Sequence, residues 1–142
     1  MSRFLLDTNC ISEVVSNKPD PRVLAWLDAA DERMLYLSAL TLGEIRKGIV
    51  TLAEGKRRVQ LDAWLEIDLR ERFAGRILPV DDAVADRWGV VAGLMKKQGK
   101  SMPAVDAMIA ATAIHHNLTV VSRNVDDFKY AGVSLFNPWK GD

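Results

Sequence analysis

Cysteine is nearly absent from this 142-residue chain. Cys10 stands alone, so no internal disulfide staples the fold, and a reducing compartment is compatible with it. Net charge is lacking too. Nineteen Lys and Arg against nineteen Asp and Glu leave a formal charge of zero, which removes any whole-molecule electrostatic case for nucleic acid and leaves only a local patch. No stretch approaches the ~18 apolar residues of a membrane span, and no apolar run of signal-peptide length stands near residue 1; the expectation is a cytoplasmic protein without membrane contact. No Gly-rich loop opens a helix, which argues against a nucleotide cradle. No His/Cys spacing suits zinc. Repeats, linkers and low-complexity runs are missing as well.

What is present reads as one domain over residues 1–142. Hydrophobic residues make up 49% and charged residues 27% of the chain, ordinary for a globular protein with a proper core. Short apolar segments that do not alternate predict buried strands at Phe4–Leu6, Met34–Leu37, Arg76–Val80, Leu118–Ser122 and Val133–Phe136. Between them lie apolar stripes at helical spacing. One runs through Ile11, Val14 and Val15, and one through Val23, Leu24, Trp26 and Leu27. Others run through Leu42, Ile45 and Ile49, through Leu61, Leu65, Leu69 and Phe73, and through Val84, Trp88, Val91 and Met95. Strands separated by helices imply a three-layer α/β/α sandwich around a mainly parallel sheet of about five strands.

The most informative stretch is 101–114, a helix with Pro103 in its first turn and almost no polar residue. Asp106 is its one ionisable side chain. A carboxylate there either neutralises the helix N-terminus or meets a cation, a metal or strong donors. Ligands of open parallel sheets bind beyond the carboxyl ends of the strands. Asp7 follows the first strand, Glu44 lies in the helix after the second, and Arg123-Asn124-Val125-Asp126-Asp127 follows the fourth. Asp106 starts the helix that feeds that strand and faces the same rim. Asp81 and Asp82 also follow a strand but suit helix capping better. Thr8 and Ser122 bring hydroxyls that either orient carboxylates or cap. Carboxylates crowded at one rim repel unless a positive ion lies among them, and an all-oxygen donor set suits Mg²⁺ or Mn²⁺. Such a site suits phosphoryl transfer by an activated water. His115 and His116, at the far end of the alanine-rich helix, read as cations complementing the helix dipole. Cys10 reads as a packing residue.

Four segments carry a resemblance: Leu5-Leu6-Asp7-Thr8-Asn9, Leu37-Ser38-Ala39-Leu40-Thr41-Leu42-Gly43-Glu44, Val105-Asp106-Ala107-Met108-Ile109-Ala110-Ala111-Thr112-Ala113, and Thr119-Val120-Val121-Ser122-Arg123-Asn124-Val125-Asp126-Asp127-Phe128. In this order they resemble the PIN domain, in the VapC/FitB toxin branch of type II toxin–antitoxin systems, and the likeness extends to Phe136-Asn137-Pro138-Trp139. The resemblance implies a Mg²⁺- or Mn²⁺-dependent endoribonuclease that leaves 5′-phosphate and 3′-hydroxyl ends. Its acidic quartet maps to Asp7, Glu44, Asp106 and a fourth group after Ser122. The acid that often follows the Ser/Thr-Arg pair is replaced here by Asn124. Asp127 is therefore the expected fourth acid, with Asn124 orienting ligands and Asp126 the lesser choice. The likeness also implies a homodimer, and a cognate antitoxin that covers the acidic pocket and brings operator DNA through its own DNA-binding domain. Arg123 and Arg46 are the leading candidates for RNA phosphates, with Lys47, Lys96, Lys97 and Lys100 as further candidates. Trp26 and Trp64 belong either to partner surfaces or to the core.

Two other readings compete. One is a weakly catalytic partner in a DNA-binding toxin–antitoxin-like complex, favoured by neutral charge and by Asn124. The other is a small-molecule phosphohydrolase with a phospho-aspartate; it lacks the second acid two residues after Asp7, where Asn9 stands.

Overall fold

The computed structural model describes residues 2–141. Its strands are β1 (Phe4–Leu6), β2 (Leu35–Ser38), β3 (Ile77–Leu78), β4 (Thr119–Val121) and β5 (Leu135–Phe136). All pairings are parallel, in the order β3-β2-β1-β4-β5. The helices are α1 (Thr8–Val14), α2 (Pro21–Ala29), α3 (Ala39–Thr51), α4 (Lys56–Ala63), α5 (Arg70–Arg72), α6 (Asp82–Lys97), α7 (Ala104–His116) and α8 (Val125–Phe128). This is the expected α/β/α sandwich. No helix among the described residues is long and apolar enough to cross a membrane.

Successive strand residues feed opposite layers, as the pleat requires. Leu6 and Val121 pack with Ile11, Val23, Ile45, Leu65 and Phe73 on one face. Leu5 and Val120 pack with Val91, Met95, Ile109 and Ala110 on the other. Leu5 and Leu6 are both fully buried, each contributing about 1.5–3 kcal/mol of hydrophobic stabilisation. The alanines of α7 let it lie closely against its neighbours; Ala107, Ala110, Ala111 and Ala113 are all buried. Trp26 turns inward, edge-on to Phe4 at 5.1 Å and near Phe136 at 5.3 Å, which makes it a core residue.

Several expected caps are present. Ser38 accepts from the Leu40 N–H at 3.1 Å and starts α3; Asp81 accepts from the Val84 N–H at 2.9 Å and starts α6. Pro103 sits one position before α7, as its N-cap, rather than inside the first turn. The predicted helix over 56–73 is interrupted: α4 passes into a π-helical stretch, Trp64–Leu69, before α5. The wider turn still buries Leu65 and Leu69. The expectation of a cationic His116 is corrected, because burial and then the charge of His115 lower its pKa and favour neutral imidazole. Burial pushes the Cys10 thiol up to about 12, consistent with a packing residue.

Phe73 closes the helical run and has no exposed surface. The Arg72 and Arg76 guanidiniums lie over its ring at 5.2 and 5.0 Å, and Arg76 also donates to the Leu35 carbonyl at 2.6 Å. Phe73 thus joins the helical layer to the β2–β3 edge. Phe73→Ala is expected to cost about 3–5 kcal/mol in urea unfolding; a loss under about 1 kcal/mol would show that the cluster repacks.

Candidate active site

Strand order reverses between β1 and β4. β1 is followed by elements leading outward to β2 and β3, whereas β4 leads the other way to β5. At such a switch point the connecting loops diverge and leave a crevice beyond the carboxyl ends. Register fixes what stands there. Leu6 pairs with Val121, so the next residues, Asp7 and Ser122, emerge side by side. The Asp7 N–H donates to the Val121 carbonyl at 2.9 Å and the Ser122 N–H to the Phe136 carbonyl at 3.0 Å, carrying sheet order up to both side chains.

Asp7 is only 5% exposed. Its Oδ1 accepts from the Thr8 N–H at 2.9 Å, and its Oδ2 accepts from Ser122 Oγ at 2.8 Å and from Asn9 Nδ2 at 3.4 Å. Ser122 Oγ in turn accepts from Asn9 Nδ2 at 3.2 Å and from the Asn124 N–H at 3.0 Å. A hydroxyl has one proton and two lone pairs, so both acceptor sites are taken and the proton is committed to Asp7. Burial raises the Asp7 pKa; the Ser122 and Thr8 hydrogen bonds oppose this, and the charges of Glu44 and Asp127 add to it.

Glu44 arrives from the second turn of α3. Thr8 Oγ1 donates to its Oε1 at 2.5 Å and lies 3.4 Å from the buried Thr41 hydroxyl. Asp106, in the first turn of α7, has its pKa raised from 3.8 to about 6, first by desolvation and then by the charges of Asp7, Glu44 and Asp127. Asp127 is among the charges that raise both Asp7 and Asp106; Asp126 is not. The structure therefore draws Asp7, Glu44, Asp106 and Asp127 into one electrostatic field. The coupling acts through space: among the described residues, no three His, Cys, Asp or Glu side chains approach closely enough to form a ligating cluster. Donor type and mutual repulsion fit a hard divalent cation, and closing the ligand shell requires the side chains to move inward.

Other expected residues fall into place differently. Asn124 contributes its backbone N–H, while its side chain makes no capping bond to α8. Arg123 is exposed, with its guanidinium over the Trp139 ring at 5.7 Å and its carbonyl accepting from Asn137 Nδ2 at 3.3 Å. Arg46 is paired with Asp62 and Glu66, so its charge is met within the chain. The residue missed by sequence reasoning is Asn9. Besides bracing Asp7 and Ser122, its Oδ1 accepts from the Arg123 N–H at 3.3 Å. Its position two residues after Asp7 was the available signal. Buried Asn137 was missed as well; it also accepts from the Trp139 N–H at 2.9 Å and pins the loop after β4. Beside Thr8 and Glu44 a cleft of about 260 Å³ opens, lined by Ile45, Ile49, Leu61 and Trp64.

Without a cation, ionised Asp106 opposes folding. Between pH about 4 and 6 the folded state holds the extra proton, so this residue's contribution to stability falls as pH rises through that window. In EDTA, Asp106→Asn is expected to stabilise the protein by about 1–2 kcal/mol at pH 7, after discounting for solvent screening. At pH 4 it should change nothing. Denaturant unfolding at the two pH values checks this; a mutant equally stable to wild type at pH 7 would remove Asp106 from the coupled set.

Comparison with known proteins agrees with this geometry. The model of the PIN domain matches residues 4–133. Toxin FitB of Neisseria gonorrhoeae is 45% identical over 136 residues, covering 96% of this chain and 98% of that protein. VapC ribonuclease Y4jK of Sinorhizobium fredii is 40% identical over 137 residues, with 96% and 98% covered. Among solved structures, FitAB bound to the IR36 DNA fragment superposes with a TM-score of 0.91 at 43% identity, covering 96% of this chain and 95% of that one. The fold, the switch-point crevice and these matches place the chain in the PIN-domain family, with relatives among the FitB and VapC toxins.

Proposed function

We propose that the chain is the toxin component of a type II toxin–antitoxin system and acts as a divalent-metal-dependent endoribonuclease. One observation carries the reading: four carboxylates from four separate elements share one field at the sheet's switch point. A nuclease needs this concentration of negative charge only if cations complete it. Asp7, Glu44, Asp106 and Asp127 would hold Mg²⁺ or Mn²⁺, which when bound supplies a more acidic water and stabilises charge on the scissile phosphate. The chain's own residues do the positioning. Ser122, Asn9 and the Thr8 N–H hold Asp7 oriented. Thr8 Oγ1 fixes Glu44, and Asn124 steadies Ser122 through its N–H. Arg123, exposed beside the rim and braced by Trp139, suits an RNA phosphate, a role for which paired Arg46 is poorly placed.

The relatives' names support the partners. VapC relatives are called ribonucleases, and FitAB is a two-component assembly on DNA. By that likeness this chain forms a homodimer and binds an antitoxin that carries the DNA contact. The apolar cleft beginning at Thr8 and Glu44 is suitably placed for a partner segment that also covers the acids. Strands contributed from residue 4 through residue 136 support reading residues 1–142 as one domain. The phosphohydrolase reading loses ground because the Asn9 amide is spent on the Asp7–Ser122 brace. Neutral net charge and Asn124 in place of an acid keep the weakly catalytic reading as the second choice.

Cleavage of structured RNA in Mg²⁺ or Mn²⁺, with EDTA as control, tests the proposal. Wild type is expected to cleave and Asp106→Asn to lose essentially all activity. Ser122→Ala should fall about 10- to 100-fold, as expected for a group that orients a ligand. Equal rates for wild type and Asp106→Asn would reject the assignment. Absent cleavage at millimolar Mn²⁺, with tight binding to the neighbouring gene product, would favour the second reading.

A further inference from the structure

On a chain of zero net charge, some cations are paired and others are not. Arg22, Arg33, Arg46, Arg70 and Arg72 all sit in salt bridges. Lys96, Lys97, Lys100 and Lys129 are exposed, and none enters a salt bridge among the described residues. Two of these lysines converge on one aromatic ring. Lys100 Nζ lies 4.5 Å and Lys129 Nζ 5.2 Å from the ring centre of Tyr130, which is 47% exposed. Two like charges held over one exposed ring repel each other and attract an anion.

The platform is fixed from both sides. After α6, Gly99 adopts φ 70°, where a side chain would be strained, and the Lys100 N–H returns to the Met95 carbonyl at 2.9 Å. Tyr130 lies in a turn closed by the Ala131 N–H to Phe128 carbonyl bond at 3.0 Å, with Phe128 and Ala131 both buried. Tyr130 follows Asp127 by three residues, in the turn just past α8, and lines a cavity of about 310 Å³ with Arg87, Leu94 and Gln98 of the α6 side.

We propose that Tyr130, flanked by Lys100 and Lys129, is a substrate subsite that stacks an unpaired base of single-stranded RNA while the two ammoniums hold the adjoining phosphates. Stacking suits any base, and exposed ammoniums suit a flexible backbone better than a fixed duplex. The subsite rests on the ribonuclease reading for its substrate class and selects an unpaired nucleotide of the bound strand.

Affinity for a fluorescent single-stranded oligoribonucleotide, measured by anisotropy in EDTA at low salt, separates this from catalysis. Tyr130→Ala is expected to weaken binding by about tenfold or more, and Tyr130→Phe to bind like wild type. Lys100→Ala with Lys129→Ala should reduce the slope of log affinity against log salt by about 1.4. An RNA duplex should bind more weakly and be indifferent to Tyr130→Ala. Unchanged affinity of Tyr130→Ala, an equal loss with duplex, or no binding by wild type would overturn the subsite. A shift in oligomeric state of Tyr130→Ala by sedimentation, with RNA affinity intact, would overturn it in favour of a protein interface. Tyr130-dependent binding by a wild type that never cleaves would sustain the subsite and remove the nuclease reading.

Discussion

The hydrogen bond from Ser122 Oγ to Asp7 Oδ2 is the contact on which the site depends. Moving a carboxylate out of water costs several kcal/mol even after relaxation, and each hydrogen bond to a charged group returns about 1.5–3 kcal/mol. Asp7 receives the Thr8 N–H, the Ser122 hydroxyl and the more distant Asn9 amide. The donors offset much of the cost, yet its pKa remains raised because burial outweighs them. That brace exists only because β1 and β4 pair in parallel with Leu6 against Val121. A slip of one residue would turn Asp7 toward the opposite layer and leave a bare carboxylate in the core.

The acids come from the ends of β1 and the starts of α3, α7 and α8, segments joined only through the folded sheet. Packing brings their charges into one field, and Asp106 carries the clearest mark of it, its pKa raised first by burial and then by the other three acids. Such a cluster is a cost to the fold, so its concentration at the switch point reads as functional rather than stabilising. Two of the positions have neutral partners that hold geometry without cancelling charge: Ser122 and Asn9 at Asp7, and Thr8 at Glu44. Among the described residues no arginine forms a salt bridge with these acids, and Arg46, on the same helix as Glu44, turns to Asp62 and Glu66 instead.

Much of this was legible in the sequence, for identifiable reasons. Non-alternating apolar segments such as Phe4–Leu6 announce a sheet covered on both faces, and a parallel sheet dictates which edge binds ligands. An acid directly after such a strand can then be placed without coordinates. Less local facts were hidden. Asn9 looks like a helix cap, and its bridge to Ser122 spans a sequence separation of 113 residues. The pairing of Arg46 with Asp62 and Glu66 depends on how α3 meets α4 and the π-helical stretch, and that widened turn leaves no mark in the apolar spacing of Leu61, Leu65 and Leu69. Asn124 reads as a site side chain from its place after Arg123, yet the chain uses its N–H.

Zero net charge excludes strong non-specific attraction to a polyanion, and the acidic crevice repels one outright. On the proposed ribonuclease reading, RNA reaching these carboxylates is drawn by cations close to the crevice but not inside it. Arg123 stands on one side of Asp127 in sequence, with Lys129 and Tyr130 on the other. Arg46 and Arg72, with their rigid forks, are used in internal pairs, whereas Lys100 and Lys129 enter no salt bridge among the described residues. Lysine's flexible stem follows a moving backbone, and its ammonium keeps its hydration until a phosphate arrives. For the proposed ribonuclease, which would bind a strand loosely and release both ends, adaptable lysines serve better than arginines already committed to pairs.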